Sequence, residues 1–191
     1  MALKISYPHG ATPLDPDEVE GLLASGISTR NQLDELEAAN VAEALQWAGA
    51  RGRDVLTEDY ARELHRRMFG RVWKWAGAYR TSDIPAAMRD LMKDTAAQVE
   101  GGQPAREVAL RFHHRLTRIH AFANGNGRHA RLLTDLLLER LGLDPFAWGD
   151  DLQHSGDPRS AYIDALRCAD NKDYSKLRQF LGLGSTAGRK N

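Results

Sequence analysis

Two apolar stripes at helical spacing enclose a short glycine-rich run, and no other feature constrains the fold of this chain as strongly. Val108, Phe112, Leu116 and Ile119 recur at intervals of three and four before the run, and Leu132, Leu133, Leu136, Leu137 and Leu141 do so after it. Between them stands His120-Ala121-Phe122-Ala123-Asn124-Gly125-Asn126-Gly127-Arg128-His129-Ala130-Arg131. The pattern predicts helix, tight loop, helix, with the glycines opening the second helix. Backbone N–H groups in such a turn converge on an anion, and the dipole of the helix N-terminus adds to the attraction. Arg128 and Arg131 are three apart on one side of that first turn. Together they suit a polyphosphate better than a single carboxylate. His120 stands at the rim, where an imidazole can take a proton from an attacking group.

Elsewhere the chain hardly alternates at period two, so the expected fold class is all-α. Thr29 and Gln32 form a capping-box pattern before a helix predicted over residues 30–48, with Gly49 ending it. Thr57 caps a second helix that runs to about Gly70. Residues 71–84 read as loop around Trp73 and Trp75. Pro85 starts a helix to about Val99, stopped by Gly101-Gly102. Residues 104–119 and 127–141 are the two helices around the glycine-rich run. Asp157-Pro158 marks a further start, Asp173 is expected to cap the last helix, and Gly182 closes it. Residues 1–28 read as an N-terminal arm, 29–184 as one helical domain, and 185–191 as a mobile tail.

Composition narrows the function classes. In 191 residues the formal net charge is +0, so a broad nucleic-acid or anionic-membrane surface is not expected. The chain has 1 cysteine, Cys168, which excludes an internal disulfide and a cysteine metal cluster. No apolar segment reads as a secretory signal or a membrane span, and the expected location is cytoplasmic. Trp47, Trp73, Trp75 and Trp148 read as core, and His113 and His114 as packing or capping residues.

The glycine-rich run resembles the signature of the Fic (Fido) family, His-Pro-Phe-x-(Asp/Glu)-Gly-Asn-(Gly/Lys)-Arg-x-x-Arg. His120, Phe122, Gly125, Asn126, Gly127, Arg128 and Arg131 stand in register with it. Trp75-Ala76-Gly77-Ala78-Tyr79-Arg80 is similar to the family's Trp-Ala-Gly-x-x-Arg segment. Gly10 to Glu18 and Tyr162 to Asp170 look like a bacterial branch called mobile mystery protein B. The resemblance implies a Fic-type helical bundle that moves AMP from ATP, as co-substrate, to a Ser, Thr or Tyr hydroxyl on a protein target or on itself. By position, it implies that His120 deprotonates the hydroxyl. It implies that Gly125, Asn126 and Gly127 hold phosphates through backbone N–H groups. Arg128 would bind the β/γ end and Arg131 the γ-phosphate, with Phe122 as the wedge under the loop. The branch's link to mobile elements implies a partner protein encoded nearby.

Three departures bear on activity. Asn124 replaces the acidic metal ligand, so a hard cation such as Mg2+ meets a neutral oxygen there. Ala121 replaces the motif proline, which removes no chemistry. The family's β-hairpin flap, which docks targets by strand addition, has only Thr81, Ser82, Asp83 and Ile84 in which to form. A hairpin needs roughly ten residues, so the flap is expected to be short or truncated. Two other readings therefore stay open: a degenerate Fic module that binds nucleotide or regulates without transfer, and a phosphotransferase of the Doc type. The Doc motif tends to carry lysine where Gly127 stands.

Regulation is legible in the helix over residues 30–48. Leu33, Leu36, Val41, Ala44, Leu45 and Ala48 are expected to share its buried face, with Glu37 in the middle and Asn40 beside it. A carboxylate there needs a partner. Many Fic proteins carry an inhibitory helix whose glutamate pairs with the second motif arginine, which implies Glu37 with Arg131. The family's inhibitory pattern is not matched, since Leu33 and Ala38 stand at its outer positions. An ion pair of purely structural purpose is the alternative. Tyr162 is either part of an adenine pocket or a core tyrosine.

Overall fold

A computed structural model describes residues 19–27, 29–49, 53–149, 152 and 156–184. Of the arm expected over residues 1–28, residues 1–18 and 28 lie outside the described residues, as does the tail expected over 185–191. Within them there are seven helices and no strand: α1 (Arg30–Ala48), α2 (Glu58–Phe69), α3 (Ile84–Glu100), α4 (Ala105–Ile119), α5 (Asn126–Arg140), α6 (Asp157–Asp170) and α7 (Ser175–Phe180). The single isolated antiparallel bridge among these residues joins Leu22 to Trp73.

Local chemistry sets most boundaries. Thr29 Oγ1 accepts from the Gln32 amide at 3.3 Å, and Gln32 Oε1 accepts from the Thr29 amide at 3.2 Å, completing the capping box of α1. Thr57 Oγ1 accepts from the Tyr60 amide at 3.2 Å at the start of α2. Pro85 sits in the first turn of α3, where its missing N–H costs nothing. At α7 the expected cap is displaced by one residue. Tyr174 occupies the N-cap, while Asp173 Oδ1 accepts from the Ser175 amide at 3.0 Å. The chain passes from Arg80 through a turn at Thr81–Asp83 straight into α3, so no hairpin stands there.

Two apolar clusters organise the bundle. The larger joins α1 through α5 with the loop before α5, through Leu33, Leu64, Phe69, Trp73, Leu91, Phe112, Phe122 and Leu133. The second joins α4 and α5 to α6 and α7 through Leu110, Leu138, Phe146, Ala165 and Leu177. Leu138 is fully buried although the predicted α5 stripe omits it, because α5 is covered on two sides rather than one.

The face expected for α1 is corrected. Leu36 and Leu45 are 40% and 48% exposed, on opposite flanks at 3.6 residues per turn. The buried face is Leu33, Glu37, Asn40, Ala44 and Ala48. Glu37 and Asn40 lie inside, where the sequence places them, and partners on other elements meet Glu37 there. No helix among the described residues is long and apolar enough to cross a membrane.

Candidate active site

The glycine-rich loop is locked by its own side chains. His120 ends α4 in the left-handed region, φ 52° and ψ 54°, with its amide still donating to the Leu116 carbonyl at 3.2 Å. Phe122 is fully buried. Its N–H donates to Asn126 Oδ1 at 2.9 Å, and its C=O accepts from Asn126 Nδ2 at 2.7 Å. One side chain thus closes the turn with a reciprocal pair of hydrogen bonds. Asn124 Oδ1 accepts from the Gly125 amide at 2.5 Å. Gly125 has φ 75°, and a Cβ there would stand 2.5 Å from the Phe69 ring. Only glycine meets both conditions, and it places the N-terminus of α5 against α2.

A second layer holds the loop from below. His65 on α2 is fully buried, stacked on Phe122 with centroids 3.7 Å apart. Its Nδ1 accepts from the Gly77 amide at 3.0 Å, so Nε2 carries the proton and donates to the Asn124 carbonyl at 3.0 Å. Burial first, then the neighbouring His129, holds the His65 pKa well below 6.5. That neutral tautomer is the one both bonds require. His129 is pushed by burial down to about 4 and sits with Nε2 2.9 Å from the Ala61 carbonyl. From the Trp75–Arg80 segment, Arg80 donates its amide to the Ala121 carbonyl at 3.0 Å and Nε to the His120 carbonyl at 2.8 Å. These supporting roles of His65, Asn126 and Arg80 are not readable in advance. A histidine on an apolar helix face gives no signal beyond burial.

The His120 side chain is half-buried, and a hydrogen bond to the Thr117 carbonyl holds its ring. Burial and then the Arg80 cation push its pKa below 6.5, so the ring is neutral at pH 7 and can accept a proton. A reaction using it as base should lose rate as pH falls through a midpoint under 6.5. Replacing Arg80 by Met should move that midpoint up, because a cation that disfavours imidazolium has gone. A pH profile of kcat/KM checks both, and an acid limb above 6.5 would contradict the assignment.

Side chains on an α-helix lean towards its N-terminus. Arg131 Nη1 accordingly lies over Gly127, 3.5 Å from where a Cβ would stand. The Arg131 guanidinium also lies 5.9 Å from the Tyr162 ring centroid and hydrogen-bonds that residue. Tyr162 itself is buried, its hydroxyl 2.8 Å from His113 Nε2. The structure therefore places Tyr162 beneath Arg131, as a floor rather than an open wall. Arg128 lies over the Phe69 ring at 4.6 Å, and its Nη1 is 2.6 Å from Glu37 Oε2. This contact is an ion pair without the alignment of a directed hydrogen bond. Glu37 thus pairs with Arg128 and not with Arg131, the arginine expected from the resemblance. From outside α1, Trp73 Nε1 donates to the other carboxylate oxygen, Glu37 Oε1, at 2.6 Å.

Asn124 was the expected metal position. Its amide oxygen is taken by the Gly125 amide, and the described residues contain no cluster of three or more His, Cys, Asp or Glu that could hold an ion. These donors do not fit a protein-built Mg2+ centre.

Residues 55–138 match the family model described as Fic/DOC family. "Protein adenylyltransferase Fic" of Nematostella vectensis is 33% identical over 137 residues, covering 62% of this chain and 32% of that protein. The protein of the same name from Aedes aegypti is 29% identical over 143 residues, covering 67% of this chain and 27% of that one. The chain thus spans about a third or less of the length of these curated relatives. Among solved structures, Fic-1 from C. elegans superposes with TM-score 0.66 at 22% identity, covering 86% of this chain and 51% of that chain. BepC from Bartonella tribocorum, solved with bound AMPPNP, gives TM-score 0.64 at 18% identity, covering 87% and 96%. Residues 55–138 are thus similar to the Fic/DOC family, and the structural neighbours share the all-helical fold.

Proposed function

We propose that this Fic-type chain transfers AMP from ATP to a hydroxyl of a protein, and that Glu37 restrains it. The observation that carries this reading is the assembly at the start of α5. A neutral His120, a glycine-opened helix N-terminus and two arginines meet there, and one arginine is held by a carboxylate from α1. The acceptor hydroxyl oxygen attacks the α-phosphorus. The bond to the pyrophosphate leaving group breaks, and the hydroxyl proton passes to His120. The amides of Asn126 and Gly127 in the turn that Gly125 opens, with Arg128 and Arg131, hold the phosphates and neutralise their charge, which is most of what phosphoryl-transfer catalysis asks of a protein. Asn124 brings no negative charge for a hard cation, so neutralising the phosphates falls to the backbone amides and the two arginines.

The names of the curated relatives support AMP transfer, and the AMPPNP in a neighbouring structure supports an adenine nucleotide as ligand. The acceptor is a Ser, Thr or Tyr of a target protein or of this chain. With no hairpin at residues 81–84, its docking does not use strand addition there. The likeness to the mobile mystery protein B branch adds a partner protein encoded nearby. One observation favours binding without transfer: Asn124 turns its oxygen into its own loop, and the Gly125 amide with it.

Label transfer from ATP tests these readings. With α-labelled ATP, Glu37→Gly is expected to raise protein-bound label on the order of tenfold. Adding His120→Ala should remove it by roughly 10²–10⁴-fold. ATP binding with no label in any variant would favour the binding module. Label arriving only from γ-labelled ATP would favour the Doc-type phosphotransferase.

A further inference from the structure

Of the two arginines three residues apart near the start of α5, Glu37 is paired with Arg128, and a second contact bears on that choice. Glu37 uses its two oxygens separately, Oε1 on Trp73 and Oε2 on Arg128, each at 2.6 Å. Trp73 is a fixed donor. It is 1% exposed, its amide donates to the Phe69 carbonyl at 2.8 Å, and its ring stacks on Trp75 with centroids 5.0 Å apart. Arg131 is occupied elsewhere, by the ring and hydroxyl of Tyr162. An indole N–H can donate one hydrogen bond and accept none, so its direction settles where the carboxylate lies.

We propose that Trp73 is a positioning residue that fixes the Glu37 carboxylate on Arg128, so that the restraint from α1 competes with the β-phosphate of an incoming nucleotide. The proposal rests on the nucleotide-binding reading above, in which Arg128 takes the β/γ end. Its consequence is specific. A glutamate confined to the arginine of the γ-phosphate would leave ADP unaffected. A glutamate on Arg128 opposes ADP as much as ATP and leaves AMP alone, because AMP has no β-phosphate.

Trp73→Phe keeps an aromatic ring in the core and deletes the N–H. Calorimetric titration with ADP and with AMP would compare the wild type, Trp73→Phe, Glu37→Gln and the double variant. Trp73→Phe is expected to tighten ADP about tenfold, as fits loss of one hydrogen bond to a charged group, and to leave AMP within about twofold. Glu37→Gln should tighten ADP at least as much, and the double variant should gain nothing further. ADP tightened by Glu37→Gln but unchanged by Trp73→Phe would overturn the role of Trp73. ADP unchanged by Glu37→Gln would overturn competition at Arg128. ADP binding absent from every variant would overturn the nucleotide reading itself, and this proposal with it. Should Trp73→Phe fail to fold, the wild type reports the same contact. Its Trp73 indole N–H resonance should move on saturation with ADP and stay in place with AMP, and an unmoved resonance with ADP would overturn the proposal.

Discussion

Gly125→Ala should destabilise the fold by about 2–4 kcal/mol and abolish nucleotide binding. Two penalties add. A side-chain-bearing residue held in the left-handed region costs about 1 kcal/mol or more, and Gly125 has φ 75°. A new methyl would also stand 2.5 Å from the Phe69 ring, and overpacking of a closed core costs roughly 1–3 kcal/mol. Phe69 cannot swing away freely, because it is 1% exposed within the larger apolar cluster. Its ring also carries the Arg128 guanidinium at 4.6 Å, so displacing it moves an arginine of the proposed phosphate site. Chemical denaturation gives the stability, and an ATP titration gives the binding. A variant with wild-type stability would show that the loop relaxes around the methyl group.

Asn126→Ala should cost a comparable amount, about 2–4 kcal/mol, and lower any transfer rate. The side chain makes both of its bonds to one residue, accepting from the Phe122 N–H and donating to the Phe122 C=O. Truncation leaves two buried backbone groups without partners, each costing about 1–3 kcal/mol less whatever water recovers. Asn126→Asp separates the two bonds. It keeps the acceptor for the Phe122 N–H but turns an oxygen towards the Phe122 carbonyl, so it should be no better than alanine at neutral pH. The two substitutions share one loop and should not add when combined with Gly125→Ala. Urea denaturation of the single and double variants checks both statements. An unchanged unfolding midpoint in Asn126→Ala would mean that the loop does not depend on this clamp.

The parts of this protein that could be read in advance are those governed by neighbours in the chain. Thr29, Thr57 and Pro85 act within one turn of where they stand, so the helix starts they mark recur in the structure. The spacing of Val108, Phe112 and Leu116 likewise places α4, since helical period and burial are both local to it. The glycine-rich run sits where two such patterns meet, which is why its position as a loop is legible. Its support is less so. His65 is one apolar-face histidine among several until folding brings Gly77 to one nitrogen and Asn124 to the other.

Glu37 shows where that division falls. The sequence by itself determined that a carboxylate lies in a helix with an apolar face, and that two arginines three residues apart open another helix. Only the tertiary structure decided how wide that buried face is, since Leu36 and Leu45, expected on it, are outside. It also decided which arginine is paired: Glu37 meets Arg128, while an indole N–H from the turn between α2 and α3 donates to its other oxygen. Periodicity ranks residues by what water would prefer. It carries no information about a hydrogen bond from a distant segment, and such a bond is what makes a buried charge tolerable at one position and not the next.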